Sequence, residues 1–195
     1  MSWPESDELL VELARTDRQA FGELYERHVK RVYNYIYYRV SRQQDAEDLT
    51  ARTFTQALAH LPRYRQQGVP LYAWLLRIAH NLVANWYRDN KRLLVPLEDA
   101  GDLGSRDGNP ETEAEAGEER RTLLAAVAQL PADRQQLILL RFSEGLKAAE
   151  IAVIMGRSEG AVKALLHRTL EGLRKNLSER RPAAGKARTF PFGGR

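Results

Sequence analysis

EGLKAAEIAVIMGRSEGAVKALLHRTLEGLR, residues Glu144–Arg174, reads as two helices around a tight turn. Ala148, Ile151, Ala152 and Met155 follow the three-and-four spacing that gives a helix one buried face. Gly156 comes next, where a helix C-terminus favours a residue free to take positive φ. Ser158 stands where a second helix needs a cap, its hydroxyl available to a first-turn N–H. Val162, Leu165, Leu166, Leu170 and Leu173 then carry the apolar seam, and the small Ala152 lets the two helices cross closely. This leaves Glu159, Lys163, Ala164, His167 and Arg168 on the outer face, with Arg157 and Ser158 at its start. A short glycine-containing turn between two helices, the second polar and partly cationic, is the pattern of a helix-turn-helix that reads duplex DNA. An αα-hairpin inside a bundle gives the same apolar spacing. Glu150-Ile151-Ala152, with Gly156 four residues after Ala152 and Val162 ten after it, favours the DNA-binding form. Arg157 holds a position more often apolar, and reads as either a phosphate contact or a solvated cation.

The chain of 195 residues has room for one large domain or two small ones. It contains no cysteine, so disulfides, thiolate metal sites and a cysteine nucleophile are excluded. MSWPESDELL has neither a basic start nor an apolar core, and no apolar run nears the ~18 residues of a membrane span. A cytoplasmic protein without membrane insertion is expected. The net charge of +4 is unevenly spread. Residues 1–94 hold 14 Lys and Arg against 11 Asp and Glu, and residues 120–178 hold 10 against 5. Between them, 95–119 holds one arginine against nine carboxylates. Two basic domains around an acidic connector suggest two contacts with nucleic acid.

Asp7–Arg15 reads as a short amphipathic helix, and Asp17 as the cap of the next one. That long helix carries Phe21, Leu24, Tyr25, His28, Val32, Tyr33, Ile36 and Val40 at helical spacing. Asp45, Glu47 and Asp48 open a third helix, where carboxylates suit the macrodipole. Leu49, Phe54, Leu58 and Leu61 form its apolar stripe, and Pro62 ends it. Those carboxylates do not converge on a point and no histidine completes a shell, so no metal site or other cofactor is expected. The loop that follows contains Tyr64, Arg65, Gln66, Gln67, Gly68, Pro70, Tyr72 and Trp74. It feeds a fourth helix expected over Leu75–Arg92, with Arg77, Asn81, Asn85 and Arg88 along it. Aromatics among arginines and amides suit single-stranded nucleic acid: faces for bases, cations for phosphates, amides for base edges. Most of the apolar members share one helical face and read as core.

Asp45-Ala46-Glu47-Asp48-Leu49, Phe54 and Trp74-Leu75-Leu76-Arg77-Ile78-Ala79-His80-Asn81 resemble the first conserved domain of bacterial RNA polymerase sigma factors. The small extracytoplasmic-function subfamily of the sigma-70 family is the best match. Leu130-Pro131, Arg134, Gly145-Leu146, Glu150-Ile151-Ala152, Gly156 and Val162-Lys163 resemble that family's promoter-reading domain. The chain departs from the pattern at Ala51 and Arg52, where Gln and Glu are frequent, and at Asn85, where Asp is common. The resemblance implies an all-α protein of two helical domains, at 1–94 and 119–178. A flexible acidic linker, 95–118, would join them and a basic tail, 179–195, would follow. It implies docking on core RNA polymerase through the third helix, with Asp45, Glu47, Asp48, Leu49, Arg52 and Phe54 as the candidate residues. Promoter DNA would be the second partner. Its minus-thirty-five duplex would be read by the helix after Ser158. Its melted minus-ten strand would be held by Tyr64, Arg65, Gln66, Gln67, Tyr72, Trp74, Arg77, Asn81, Asn85 and Arg88. An anti-sigma factor is a further implied partner, and the linker would thread a basic polymerase channel. The chain would be no enzyme. The alternatives are a helix-turn-helix regulator with an N-terminal sensing domain, which would dimerise on palindromic sites, and a helical metal hydrolase. The scattered His28, His60, His80 and His167 speak against the hydrolase.

Overall fold

The computed structural model describes residues 3–65, 68–90 and 120–180, and among them every regular element is helical. α1 (Asp7–Ala14) starts at Ser6, whose hydroxyl accepts from the Glu8 N–H. α2 (Arg18–Val40) starts at Asp17, whose carboxylate accepts from the Gln19 N–H at 2.8 Å. It stops at Ser41, which takes the left-handed conformation at φ 53°. α3 (Gln43–His60) runs into a short 3-10 turn, Leu61–Arg63, containing Pro62. α4 spans Leu71–Asp89. A helix over 120–128 (α5) and α6 (Ala132–Ile138) follow, the latter widening into a π-helical turn, Leu139–Ser143. α7 (Ala148–Met155) and α8 (Glu159–Arg180) complete the fold.

In the N-terminal half, α2 packs against α1, α3 and α4. Leu10, Leu24, Val32, Ile36, Leu49, Leu61, Leu76 and Val83 fill the space between them. Thr50 and Thr53 are buried within α3 at no polar cost, since their hydroxyls donate back to the Ala46 and Leu49 carbonyls. In the C-terminal half, α7 packs on α8 and α6 on α8 around Leu137, Leu140, Ile151, Ile154, Val162 and Leu165. The two halves are not separate bodies. α7 lies against α4, and the buried residues of both halves form one continuous core.

Several boundaries differ from those expected. α4 begins at Leu71, not Leu75, so Tyr72 and Trp74 belong to the helix and not to the loop before it. Pro70, at φ −56° and ψ 149°, needs no amide partner and sits where a helix can start, its carbonyl accepting from Ala73 and Trp74. α6 keeps α geometry only to Ile138 before the wider π turn takes over. Leu58, placed in the apolar stripe of α3, is 43% exposed. In the helix pair, Ile151, Ala152 and Ile154 are buried while Ala148 and Met155 are half-buried. Gly156 takes φ 63° at the C-cap of α7, as the turn requires. The linker 95–118 and the tail beyond 180 lie outside the described residues.

Candidate nucleic-acid interfaces and the contact between domains

The capping bond expected at Ser158 is present, its Oγ accepting from the Ala161 N–H at 3.2 Å. From there α8 turns Val162, Leu165, Thr169 and Leu173 inward. Glu159, Lys163, Ala164, His167 and Arg168 remain exposed along the opposite side, with Arg157 and Ser158 exposed at its start. Lys163 Nζ pairs with Glu159 at 2.7 Å and His167 Nδ1 with Glu171 at 3.2 Å, each one turn apart. Arg157 reaches Asp133 at 3.2 Å, tying the turn to α6. Exposed pairs of this kind hold little energy, so the cations can exchange partners.

On α4, Arg77, Asn81 and Asn85 are exposed and recur every four residues, making one column; Arg88 donates to the Asn85 side-chain oxygen at its lower end. The aromatic candidates sit differently. Tyr64 and Tyr72 are buried, and Trp74 is half-buried with its ring 4.7 Å from that of Tyr64. Burial raises the pKa of both tyrosines, helped at Tyr72 by its bond to a carboxylate. Arg65 is exposed; Gln66 and Gln67 lie outside the described residues. On α3, Glu47, Asp48 and Arg52 are exposed and Asp45 is half-buried, whereas Leu49 and Phe54 are buried in the core. Asp45 pairs with Arg42, Asp48 with Arg52, and Glu47 accepts from the Gln43 amide. Any docking surface here is therefore polar, with Leu49 and Phe54 supporting it from behind.

The contact between the halves is partly polar. The Gln136 amide on α6 donates to the Tyr35 hydroxyl at 3.0 Å and to His80 Nδ1 at 2.7 Å. Gln136 and Tyr35 are buried, and burial pushes the Tyr35 phenol up to about 12. At the end of the π turn, the Glu144 carboxylate accepts from the Tyr72 hydroxyl at 2.5 Å and from Arg31 at 3.4 Å. The Arg31 guanidinium lies over one side of the system, 3.8 Å from the Tyr72 ring centre, and His28 stacks on that ring at 5.7 Å. Asp7 fixes His28 by a 2.7 Å contact to Nε2.

A family described as Sigma-70 region 2 matches residues 24–93, and one described as Sigma-70, region 4 matches 120–173. The ECF RNA polymerase sigma factor BldN of Streptomyces coelicolor is 39% identical over 172 residues, 87% of this chain and 65% of BldN. The RNA polymerase sigma factor YlaC of Bacillus subtilis is 30% identical, covering 84% of this chain and 95% of YlaC. The ECF sigma factor SigD of Mycobacterium tuberculosis is 30% identical, covering 88% of this chain and 83% of SigD. The chain belongs to the ECF RNA polymerase sigma factors. It accordingly serves promoter-directed transcription by RNA polymerase. Two solved structures share the fold of this sigma factor: CnrH with the cytosolic domain of CnrY, and RpoE with the anti-sigma factor NepR from Bartonella quintana. Their TM-scores are 0.63 and 0.61 at 23% and 21% identity, over 90% and 83% of this chain and 99% and 98% of theirs. No helix among the described residues of the sigma factor is long and apolar enough to cross a membrane.

Sequence reasoning gave no role to Arg31, Tyr35, Gln136 or Glu144, and met His80 only within a family motif and among the scattered histidines. Their contacts join residues 56 to 113 positions apart, and no local spacing announces such a pair.

Proposed function

We propose that this sigma factor divides promoter reading between its halves. The exposed strip of α8 from Arg157 to Arg168 reads the minus-thirty-five duplex in the major groove. The column Arg77, Asn81, Asn85 and Arg88 on α4, with Arg65 and the loop around Gln66 and Gln67, holds the melted minus-ten strand. The polar surface of α3, at Asp45, Glu47, Asp48 and Arg52, docks on core polymerase. The observation that carries this reading is the pair of exposed strips, cations with amides on α4 and polar, partly cationic residues on α8, each backed by a packed apolar face. The chemistry is binding throughout: unstacking a base costs a few kcal/mol, and capture of the extruded strand offsets it. An anti-sigma partner is part of the proposal, supported by the fold shared with a sigma factor solved on the anti-sigma factor NepR. The site of action is the cytoplasm, where polymerase and DNA meet.

The test is transcription by purified chain and core polymerase from a library randomised through both promoter elements. Enrichment of defined sequences at both elements is expected. Tight duplex binding by a dimer without polymerase, and no initiation with it, would favour the regulator instead.

A further inference from the structure

A helix end leaves its last carbonyls without partners inside the helix. Where the 3-10 turn after α3 runs out into the loop, two carbonyls are met by a single side chain from far back in the chain. Arg15 donates Nη1 to the Pro62 carbonyl at 3.4 Å and Nη2 to the Tyr64 carbonyl at 2.8 Å, across 47 and 49 residues. Arg15 is itself well placed. It stands at the C-cap of α1, in the short turn before Asp17 caps α2, and Glu12 takes Nη2 at 3.1 Å from one turn away. Only 20% of its side chain is exposed. A guanidinium suits the task because its N–H groups form a rigid fork that reaches two acceptors at once, which the point charge of a lysine cannot do.

Tyr64 ties the loop at both ends. Its carbonyl takes Arg15 at the entry, and its hydroxyl donates to the Val69 carbonyl at the exit, at 3.3 Å. Its ring, 7% exposed, packs 4.7 Å from that of Trp74 in the first turn of α4. Residues 65–68 lie between the two ties, and Pro70 starts α4 just beyond them. A group that reads a base edge must be held to within ~0.5 Å, so what fixes the ends of a short loop decides what the loop can discriminate. The Sigma-70 region 2 match begins at residue 24, so α1 and Arg15 lie upstream of it.

We propose that Arg15 is a positioning residue for minus-ten recognition. By holding the Pro62 and Tyr64 carbonyls it sets the geometry of the loop that reads an unpaired base, which makes α1 part of the promoter-reading apparatus. This rests on the reading of that loop given above. Arg15 touches no base; it acts through Tyr64.

The test pairs transcription with proteolysis, both on the full chain. With core polymerase and a library randomised at the minus-ten element, Arg15→Ala should flatten preference at one or two positions by about fivefold. Minus-thirty-five selection and polymerase binding should be those of the wild type. Arg15→Lys keeps the charge but not the fork and should fall between. Glu12→Ala leaves both carbonyl contacts in place and should keep the wild-type preferences. Tryptic cleavage after Arg65, read by mass spectrometry, should be about fivefold faster in Arg15→Ala.

An equal loss on every library member, in step with a lower melting temperature, overturns the positioning role in favour of a purely structural one. Unchanged cleavage after Arg65 overturns the hold on the loop, whatever the loop reads. Faster cleavage with wild-type base preferences overturns the link from hold to reading, and with it the assignment of the loop to the minus-ten strand. If Arg15→Ala does not fold, Arg15→Lys and Tyr64→Phe decide. Tyr64→Phe loses only the tie to Val69 and should shift the same minus-ten positions as Arg15→Lys; shifts at different positions, or none, overturn the proposal.

Discussion

Gln136 Nε2 lies 2.7 Å from His80 Nδ1 and 3.0 Å from the Tyr35 hydroxyl, so one amide joins α6 to both α2 and α4. An amide nitrogen only donates, which makes Nδ1 the acceptor and places the imidazole proton on Nε2. A second proton would remove that acceptor.

Closure of the two halves on each other should therefore weaken in acid. Burial, with the Arg39 guanidinium of α2 adding to it, pushes His80 down to about 4. Gln136, its partner across the seam, is neutral, as is Tyr35 of α2, which shares that amide. Where the halves have parted, the imidazole returns toward its ordinary 6.5. Between those values the open chain binds a proton that the closed chain does not. The stability of closure is thus fully present above about 6.5 and declines as pH falls toward 4, flattening below. Energy transfer between dyes on α3 and α8 should fall across this range in the wild type, and the slope should shrink in His80→Asn. Equal slopes in both would assign the pH response to other groups.

Asp48 is the cleanest probe of polymerase docking. Its carboxylate is 65% exposed and pairs only loosely with Arg52, at 3.5 Å, so its charge can be inverted without touching the core. Asp48→Arg should weaken binding to core polymerase by ~1 kcal/mol or more, with helical circular dichroism unchanged. Unaltered co-purification with polymerase would move the docking surface off this part of α3. Leu49 and Phe54 are poor probes, because their truncation opens cavities costing ~2–5 kcal/mol whatever they dock against.

The helix-turn-helix was legible because its constraints are local. The apolar spacing around Ile151 and Val162, the positive φ at Gly156 and the cap at Ser158 all act within one or two turns. The start of α4 was misread because the aromatic run Tyr72–Trp74 suggested a loop, while Pro70 sets the boundary. Leu49 and Phe54 looked like contact residues because a motif does not tell which of its members face the core. The seam between the halves left no trace in the sequence. Glu144 reads only as the first residue of the helix pair, and the π turn before it brings it onto Tyr72 and Arg31.

Lys163 should contribute to duplex recognition in one of two distinguishable ways. Its side chain is 66% exposed and its pair with Glu159 is a surface contact, so Lys163→Ala should barely change stability. If the ammonium meets a guanine edge, the loss is ~1–3 kcal/mol on the native minus-thirty-five element and small on others. If it meets phosphate, affinity falls evenly across sequences and the salt slope drops by about one contact. Binding by Lys163→Ala, His167→Ala that matches the wild type at all salt concentrations would remove this strip from the reading role.

The column on α4 should set base preference in the melted strand. Arg77, Asn81 and Asn85 lie one turn apart on an exposed face, and Arg88 holds the Asn85 oxygen, which leaves the Asn85 amide N–H groups as its donors. Asparagine offers both a donor and an acceptor to a base edge, which alanine cannot. Each lost bond to an unpaired base should reduce discrimination by ~1 kcal/mol, about fivefold in preference. Asn81→Ala, Asn85→Ala should flatten preference at one or two minus-ten positions in transcription from a randomised library. Minus-thirty-five selection and polymerase binding should stay as in the wild type, since α8 and α3 are untouched. Base preferences identical to the wild type at every position would leave α4 as a scaffold and pass the reading to the loop between Arg65 and Pro70.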